Sequence, residues 1–195
     1  MSFSLSVRDL ITIGVFSAVY LGAYVILSGV LFTPWLFILL LPIGALLMAP
    51  VYLLFIARTQ KPFAITVLGL VAAVIAGLLV YGSVLIALVN LGVAVVADAI
   101  AFAGRYRSLT LNVISYVVMS FWVLGQVGPL WVARDWWREL TITSGYSADY
   151  ADGSLDLATP LSFGLLVVAT IVAALVSSYV ARDMLDRHFR RAGVA

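Results

Sequence analysis

Apolar residues run along this chain in long blocks set apart by brief polar punctuation. A helix needs about 20 apolar residues to cross the hydrocarbon core of a bilayer. Six blocks approach that length: Leu10–Val30, Trp35–Ala57, Phe63–Val80, Val84–Ala103, Leu109–Leu130 and Leu161–Ala181. The last block is expected to continue as a polar helix toward Arg190. Pro34, Pro50, Pro62, Pro129 and Pro160 mark ends or breaks, as proline's cost inside a helix dictates. Pro42 and Pro50 are expected to interrupt the second block. Tyr81-Gly82-Ser83 is so short that blocks three and four must form a tight hairpin. Trp131–Thr159 is long and lacks a strand pattern, which is the habit of a functional lid.

Composition agrees with the pattern. Of 195 residues, 64% are hydrophobic and 10% charged, and mean hydropathy is +1.16. A soluble core of this size cannot hide so much apolar side chain. A disordered chain, a nucleic-acid binder and an ordinary cytosolic enzyme are excluded. A net charge of +2 is too mild for a polyanion partner. Cysteine is absent, which removes disulfides, thiolate metal sites and thiol nucleophiles. His188 is the one histidine and lies in the polar tail, so histidine-based chemistry inside the membrane is excluded. Lys61 follows no glycine-rich loop, so the chain does not hydrolyse ATP by that route. MSFSLSVRDL carries no cleavable signal pattern. No enzyme activity, cofactor or metal is expected.

Charge sets the orientation. Arg8, Arg58, Lys61, Arg105, Arg107, Arg182, Arg187, Arg190 and Arg191 fall on one side of a six-span chain. Arg134 and Arg138 fall on the other, beside Asp135, Glu139, Asp149, Asp152 and Asp156. The positive-inside rule then places both termini in the cytoplasm. The fold class is an all-α integral membrane protein, a compact bundle of six transmembrane helices. It forms one domain over residues 1–195, with an external loop at 131–159 and a basic cytoplasmic tail at 182–195.

Three spans carry small residues four apart: Gly14, Ala18 and Gly22; Gly69, Ala73 and Gly77; and Ala169, Ala173, Ser177 and Ala181. Small side chains let helices approach closely in lipid. Packing within the bundle explains a stripe, but three exceed its needs, so one is a candidate partner surface. Asp98 is the one carboxylate inside a span. Its cost there, at least about 2.5 kcal/mol, requires protein or water around it. A structural pair with Arg105 or Arg58 accounts for it; a proton or cation site is the functional reading. Asn90, Asn112 and Gln126 are intramembrane amides, suited to bonds between helices or to a ligand. Trp35, Tyr81, Trp131, Trp136, Trp137, Tyr146 and Tyr150 form an aromatic set near the external boundary. An interfacial belt explains the rings. It does not explain Arg134, Asp135, Arg138 and Glu139 among the tryptophans, which suit an amphiphilic lid.

The ordered pieces of this chain resemble the MptD/Trep_Strep group of substrate-binding S components of energy-coupling factor (ECF) transporters. The pieces are VRDLITIGVFSAVY, Pro42 to Pro50, the Arg105–Ser108 turn followed by Asn112, Gly128-Pro129-Leu130, Gly145–Tyr150 and the RHFRRAG ending. The match runs almost end to end. It departs at Asp98, where the resemblance leads one to expect Glu, and in the external loop. The resemblance implies a plasma-membrane subunit that captures a micronutrient outside the cell. A porphyrin or haem, an iron-chelate or a vitamin-like molecule are the ligands it suggests, haem having only Tyr81, Tyr146, Tyr150 or a Met for axial bonds. It implies assembly with a transmembrane T subunit and two cytoplasmic ATPases. Carried over, the T-subunit motif falls on Gly14, Ala18 and Gly22. The ligand pocket falls on Trp35, Tyr81, Trp122, Gln126, Trp131, Arg134, Trp137, Arg138, Tyr146 and Tyr150. The alternative is a stand-alone secondary transporter or small channel that uses Asp98.

Overall fold

A computed structural model describes residues 5–30 and 33–191, with side chains except at 28–30, 35 and 184–191. Trp35 and His188 therefore have side chains outside the described residues, as does the tail from 184 onward. The chain is helical, with no strand among the described residues. Its long helices are α1 (Val7–Val30), α3 (Leu40–Thr59), α5 (Val84–Ala103), α6 (Leu109–Met119) with its broken extension, and α11 (Pro160–Arg191). Shorter ones are α2 (Pro34–Ile38), α4 (Ala64–Ala72), α7 (Leu124–Val127), α8 (Pro129–Val132), α9 (Arg134–Thr143) and α10 (Ala148–Leu157).

Among the described residues, five stretches are long and apolar enough to cross a membrane: Val7–Leu27, Leu40–Thr59, Val84–Ala103, Leu109–Val127 and Pro160–Asp183. The block expected as a third span is a shorter apolar helix, Ala64–Val80. Its second half, Ala73–Val80, winds as a wider π-helix. Tyr81 N–H still bonds back to Ala76 O, five residues earlier, at 3.2 Å.

Polar side chains start the helices where the sequence places them. Ser6 and Asp9 cap α1 reciprocally: Asp9 N–H donates to Ser6 Oγ at 3.2 Å and Ser6 N–H to Asp9 Oδ2 at 2.9 Å. Ser83, Ser108 and Ser147 accept from the first turns of α5, α6 and α10. Thr159 and Ser162 cap α11 around Pro160.

The second block differs from expectation. The chain breaks at Leu39, and α3 then runs through both Pro42 and Pro50. Pro42 falls in the first turn, where its missing N–H costs nothing. Pro50 lies in the interior and leaves Leu46 O without its helical donor. Ser177 of α11 supplies one: its Oγ donates to Leu46 O at 2.5 Å. A neighbouring hydroxyl thus satisfies the carbonyl that proline orphans, which is how membrane helices carry proline.

Helix α3 is the centre of the bundle, packed on α11, α1 and α6, while α4 and α6 flank α5. Hydroxyls tie the layers. Tyr116 donates to Ala45 O at 2.6 Å. Tyr52 and Ser115 share a bond of 2.6 Å, and Ser115 donates to Ala97 O at 2.6 Å. In lipid such bonds and close packing replace the hydrophobic drive. The outward faces are aliphatic, with Ile11, Val15, Leu88 and Val172 more than half exposed.

Candidate functional site

The site begins with a defect in a helix. After Met119 the backbone tightens into three-residue bonds: Trp122 N–H to Met119 O at 3.0 Å and Leu124 N–H to Phe121 O at 2.8 Å. Irregular backbone at membrane depth survives only when it is buried in protein or lines a cavity. The break turns Ser120, Trp122 and Val123 toward a small cavity between α1, α3 and α6. Tyr20, Tyr24, Gly44, Met48 and Tyr116 line its other walls. The edges of Tyr24 and Tyr20 meet Trp122, with ring centroids 5.2 and 6.3 Å apart.

Just past the break, Gly125 presses on α5. A Cβ there would stand 2.9 Å from Ile86 O. That approach brings Gln126 against Asn90, both buried. Oriented so that each amide finds its complement, Asn90 donates to Gln126 Oε1 at 3.3 Å and accepts from Gln126 Nε2 at 3.2 Å. The same Asn90 nitrogen also lies within hydrogen-bond reach of Ile86 O on its own helix and of Trp122 O at the break.

A second cavity lies on the outer side of this pair. Phe37, Tyr81, Ile86, Gln126, Trp137, Leu140, Thr141, Ser144, Tyr146 and Tyr150 line it. Its roof is α9 and α10, the segment expected as a loop. That segment is helical because Arg134–Thr143 is strongly amphipathic, with Trp137 and Thr141, one turn apart, facing inward. Trp137 Nε1 donates to Gln126 O at 3.2 Å, and its ring lies 5.9 Å from Phe37. Tyr146 and Tyr150 stack at 4.8 Å. Tyr81 shares a 3.2 Å bond with Tyr24, whose ring belongs to the inner cavity. Burial raises the Tyr81 phenol. Burial, with Tyr146 and Tyr81 nearby, pushes Tyr150 up to about 12. Both remain neutral at ordinary pH. The cavities are small, about 20 Å³ and about 30 Å³. Each has room for a water or two and no more.

The structure therefore gathers Tyr81, Gln126, Trp137, Tyr146 and Tyr150 in one cavity and puts Trp122 in its neighbour. It takes Trp131, Arg134 and Arg138 elsewhere. Trp131 donates to Thr159 O at 2.8 Å and packs on Phe163. Arg134 donates to Ala158 O and Leu155 O at 3.0 and 2.9 Å, capping the carbonyl end of α10. Arg138 grips Asp152 through two bonds of 2.6 and 3.1 Å. These three hold the cap together. Sequence reasoning missed Tyr20, Tyr24 and Phe37. Two tyrosines four apart in an aliphatic span were the available signal.

Asp98 pairs with neither Arg58 nor Arg105. Its Oδ2 accepts from Thr66 N–H at 3.1 Å and Thr66 Oγ1 at 2.7 Å, and its Oδ1 from Tyr106 Oη at 2.6 Å. Thr66 belongs to the first turn of α4, which Phe63 leaves without a side-chain cap. Asp98 is thus the cap of α4, supplied from another helix, with its charge at the positive end of the dipole. An arginine is unnecessary because three donors and a helix terminus already meet the carboxylate. Among the described residues, no group of three or more His, Asp or Glu stands ready for a metal.

The stripes divide. Gly69 and Gly77 are buried against Ala94 and Ala87 of α5; a Cβ on Gly77 would meet the Ala87 backbone at 2.6 Å. The lower half of the α11 stripe, Ser177 and Ala181, is buried in the bundle. Gly14, Ala18 and Gly22 are exposed, and a Cβ on either glycine would meet nothing.

No curated protein and no solved structure matches the chain. A family model described as "Hypothetical bacterial integral membrane protein (Trep_Strep)" matches residues 7–191. With an almost complete match and this bundle of apolar helices, the chain belongs to the Trep_Strep family of bacterial integral membrane proteins.

Proposed function

We propose that this protein is the substrate-capture subunit of an ECF-type importer and is not itself an enzyme. In this reading the chain crosses the plasma membrane six times, counting Ala64–Val80, with both termini inside. The observation that carries the reading is the pair of adjacent aromatic cavities beneath the α9–α10 cap, set where a membrane helix breaks. As they stand the cavities have room only for water; lifting the cap would open an apolar, aromatic-lined space with convergent polar groups, which is the lining small-molecule sites have. Tyr81, Gln126, Trp137, Tyr146 and Tyr150 would contact the ligand directly, with Trp122 behind them. Ligand would enter as the cap lifts, and the loaded subunit would deliver it inward.

Delivery needs partners, because the chain has no nucleotide-binding loop of its own. A transmembrane T subunit and two cytoplasmic ATPases would supply them. The open face at Gly14, Ala18 and Gly22 is where the T subunit would pack. Purification in mild detergent from the native host tests the assignment. Recovery of a transmembrane protein and two ATPases with the chain is expected. Recovery of a homodimer alone, with flux driven by an ion gradient, would replace it with a secondary transporter.

A further inference from the structure

We propose that the two cavities are halves of one site for an uncharged, planar heteroaromatic molecule, separated in this state by the Tyr24–Tyr81 hydroxyl pair. The inference rests on the capture-subunit reading and names its ligand class.

Charge is the first ground. Among the described residues, no Asp, Glu, Lys, Arg or His lines either cavity. The nearest cations of the cap are already used, Arg134 on the carbonyls of α10 and Arg138 on Asp152. A carboxylate or ammonium carried into such a place would lose its water and meet no counter-ion. A porphyrin with its two carboxylates, or an anionic iron-chelate, lacks partners here. An uncharged molecule does not have that problem.

Shape is the second ground. Aromatic rings face the space from both sides: Tyr24 and Trp122 inward, Trp137, Tyr146 and Tyr150 outward. Rings stack best on flat partners. Neither cavity alone, nor the two joined at their present volumes, reaches the roughly 300 Å³ that small-molecule sites occupy, so the α9–α10 cap must lift as well. Joining them requires Tyr24 and Tyr81 to part, and a single hydroxyl–hydroxyl bond of 3.2 Å is what joins those two side chains.

Recognition is the third ground. A carboxamide offers two N–H donors and two acceptor lone pairs. Pairing with Asn90 uses one of each on Gln126. One donor and one acceptor remain on a side chain that lines the outer cavity. That is a complement for adjacent C=O and N–H groups on the edge of a heterocycle. A flat hydrocarbon would leave them unanswered.

The test uses the full chain in lipid nanodiscs and follows quenching of tryptophan fluorescence, since Trp122 and Trp137 line the cavities. The probes are lumichrome, an uncharged tricycle with a C=O/N–H edge, and protoporphyrin IX, a flat dicarboxylate. Lumichrome is expected to quench saturably, and protoporphyrin IX is not. The double variant N90L/Q126L removes the edge reader and its partner together, so neither side-chain amide is left unpaired and only Trp122 O loses a donor. It should weaken lumichrome at least about tenfold while the protein elutes and melts as a folded species. Y81F removes the latch but keeps the ring, and should tighten binding several-fold. Saturable quenching by protoporphyrin IX alone would overturn the ligand class and leave the capture site standing. Lumichrome binding unmoved by both variants would place the ligand elsewhere and overturn the proposal. Binding of neither probe would overturn both the ligand class and the site.

Discussion

Asp98 offers the sharpest test of whether this protein's buried charge serves structure or transport. Replacing it with alanine removes the acceptor for three donors: Thr66 N–H, Thr66 Oγ1 and Tyr106 Oη. Losing a helix cap costs about 0.5–2 kcal/mol. Each buried donor left without a partner adds about 1–3 kcal/mol. Thr66 is only half-buried, so the donors do not all count in full. A total of about 3–4 kcal/mol follows, on the scale of a broken buried hydrogen-bond network. For a chain of this length that is a fall of roughly 6–16 °C in the unfolding midpoint. Asp98→Asn keeps one acceptor oxygen and the shape, and loses the charge at the α4 terminus. Its expected cost is about 1–2 kcal/mol. The assay is thermal unfolding in detergent, run beside ligand binding and uptake in vesicles. D98A should melt earliest, D98N between it and the parent, and folded D98N should bind and transport normally. If D98N melts like the parent but transports nothing, the carboxylate carries an ion and the capping argument fails.

Ser177→Ala should lower stability by about 1–3 kcal/mol, because Leu46 O then faces neither a helical donor nor a hydroxyl; combining it with Pro50→Ala, which restores that donor, should recover most of the loss in the same melting assay. Leucine at Gly77 should prevent folding, since the Ala87 backbone occupies the space, whereas leucine at Gly14 or Gly22 should leave the isolated protein intact and abolish co-purification of the T subunit; a Gly14→Leu protein that still assembles would clear that face of a docking role. The Arg138 pair holds Asp152 below the usual carboxylate range, so its contribution to closing the cap is present above about pH 4 and fades as pH falls through the lowered value. Proteolysis within 131–159 should therefore quicken only in strong acid, and Asp152→Asn should remove that dependence; an unchanged profile would detach the ion pair from the cap.

What the sequence determined on its own is the set of long apolar helices and their solvent. Blocks of apolar residues fix spans because backbone amides cannot go unbonded in lipid. It pointed as well to half of the candidate ligand residues, since aromatics and amides are rare enough in such spans to be noticed. Tertiary structure decided the rest. Whether Pro50 breaks a helix depended on Ser177, far along the chain and invisible to any local pattern. Asp98 looked like an arginine's partner until the uncapped start of α4 came to rest beside it. Arg134 and Trp137 share one short helix, yet one meets backbone carbonyls at the end of α10 and the other the backbone carbonyl of Gln126 in the bundle. Three stripes of small residues read alike in sequence, and only packing left the first one open. Periodicity tells which residues share a helix face; it carries no information about what the fold brings to meet that face.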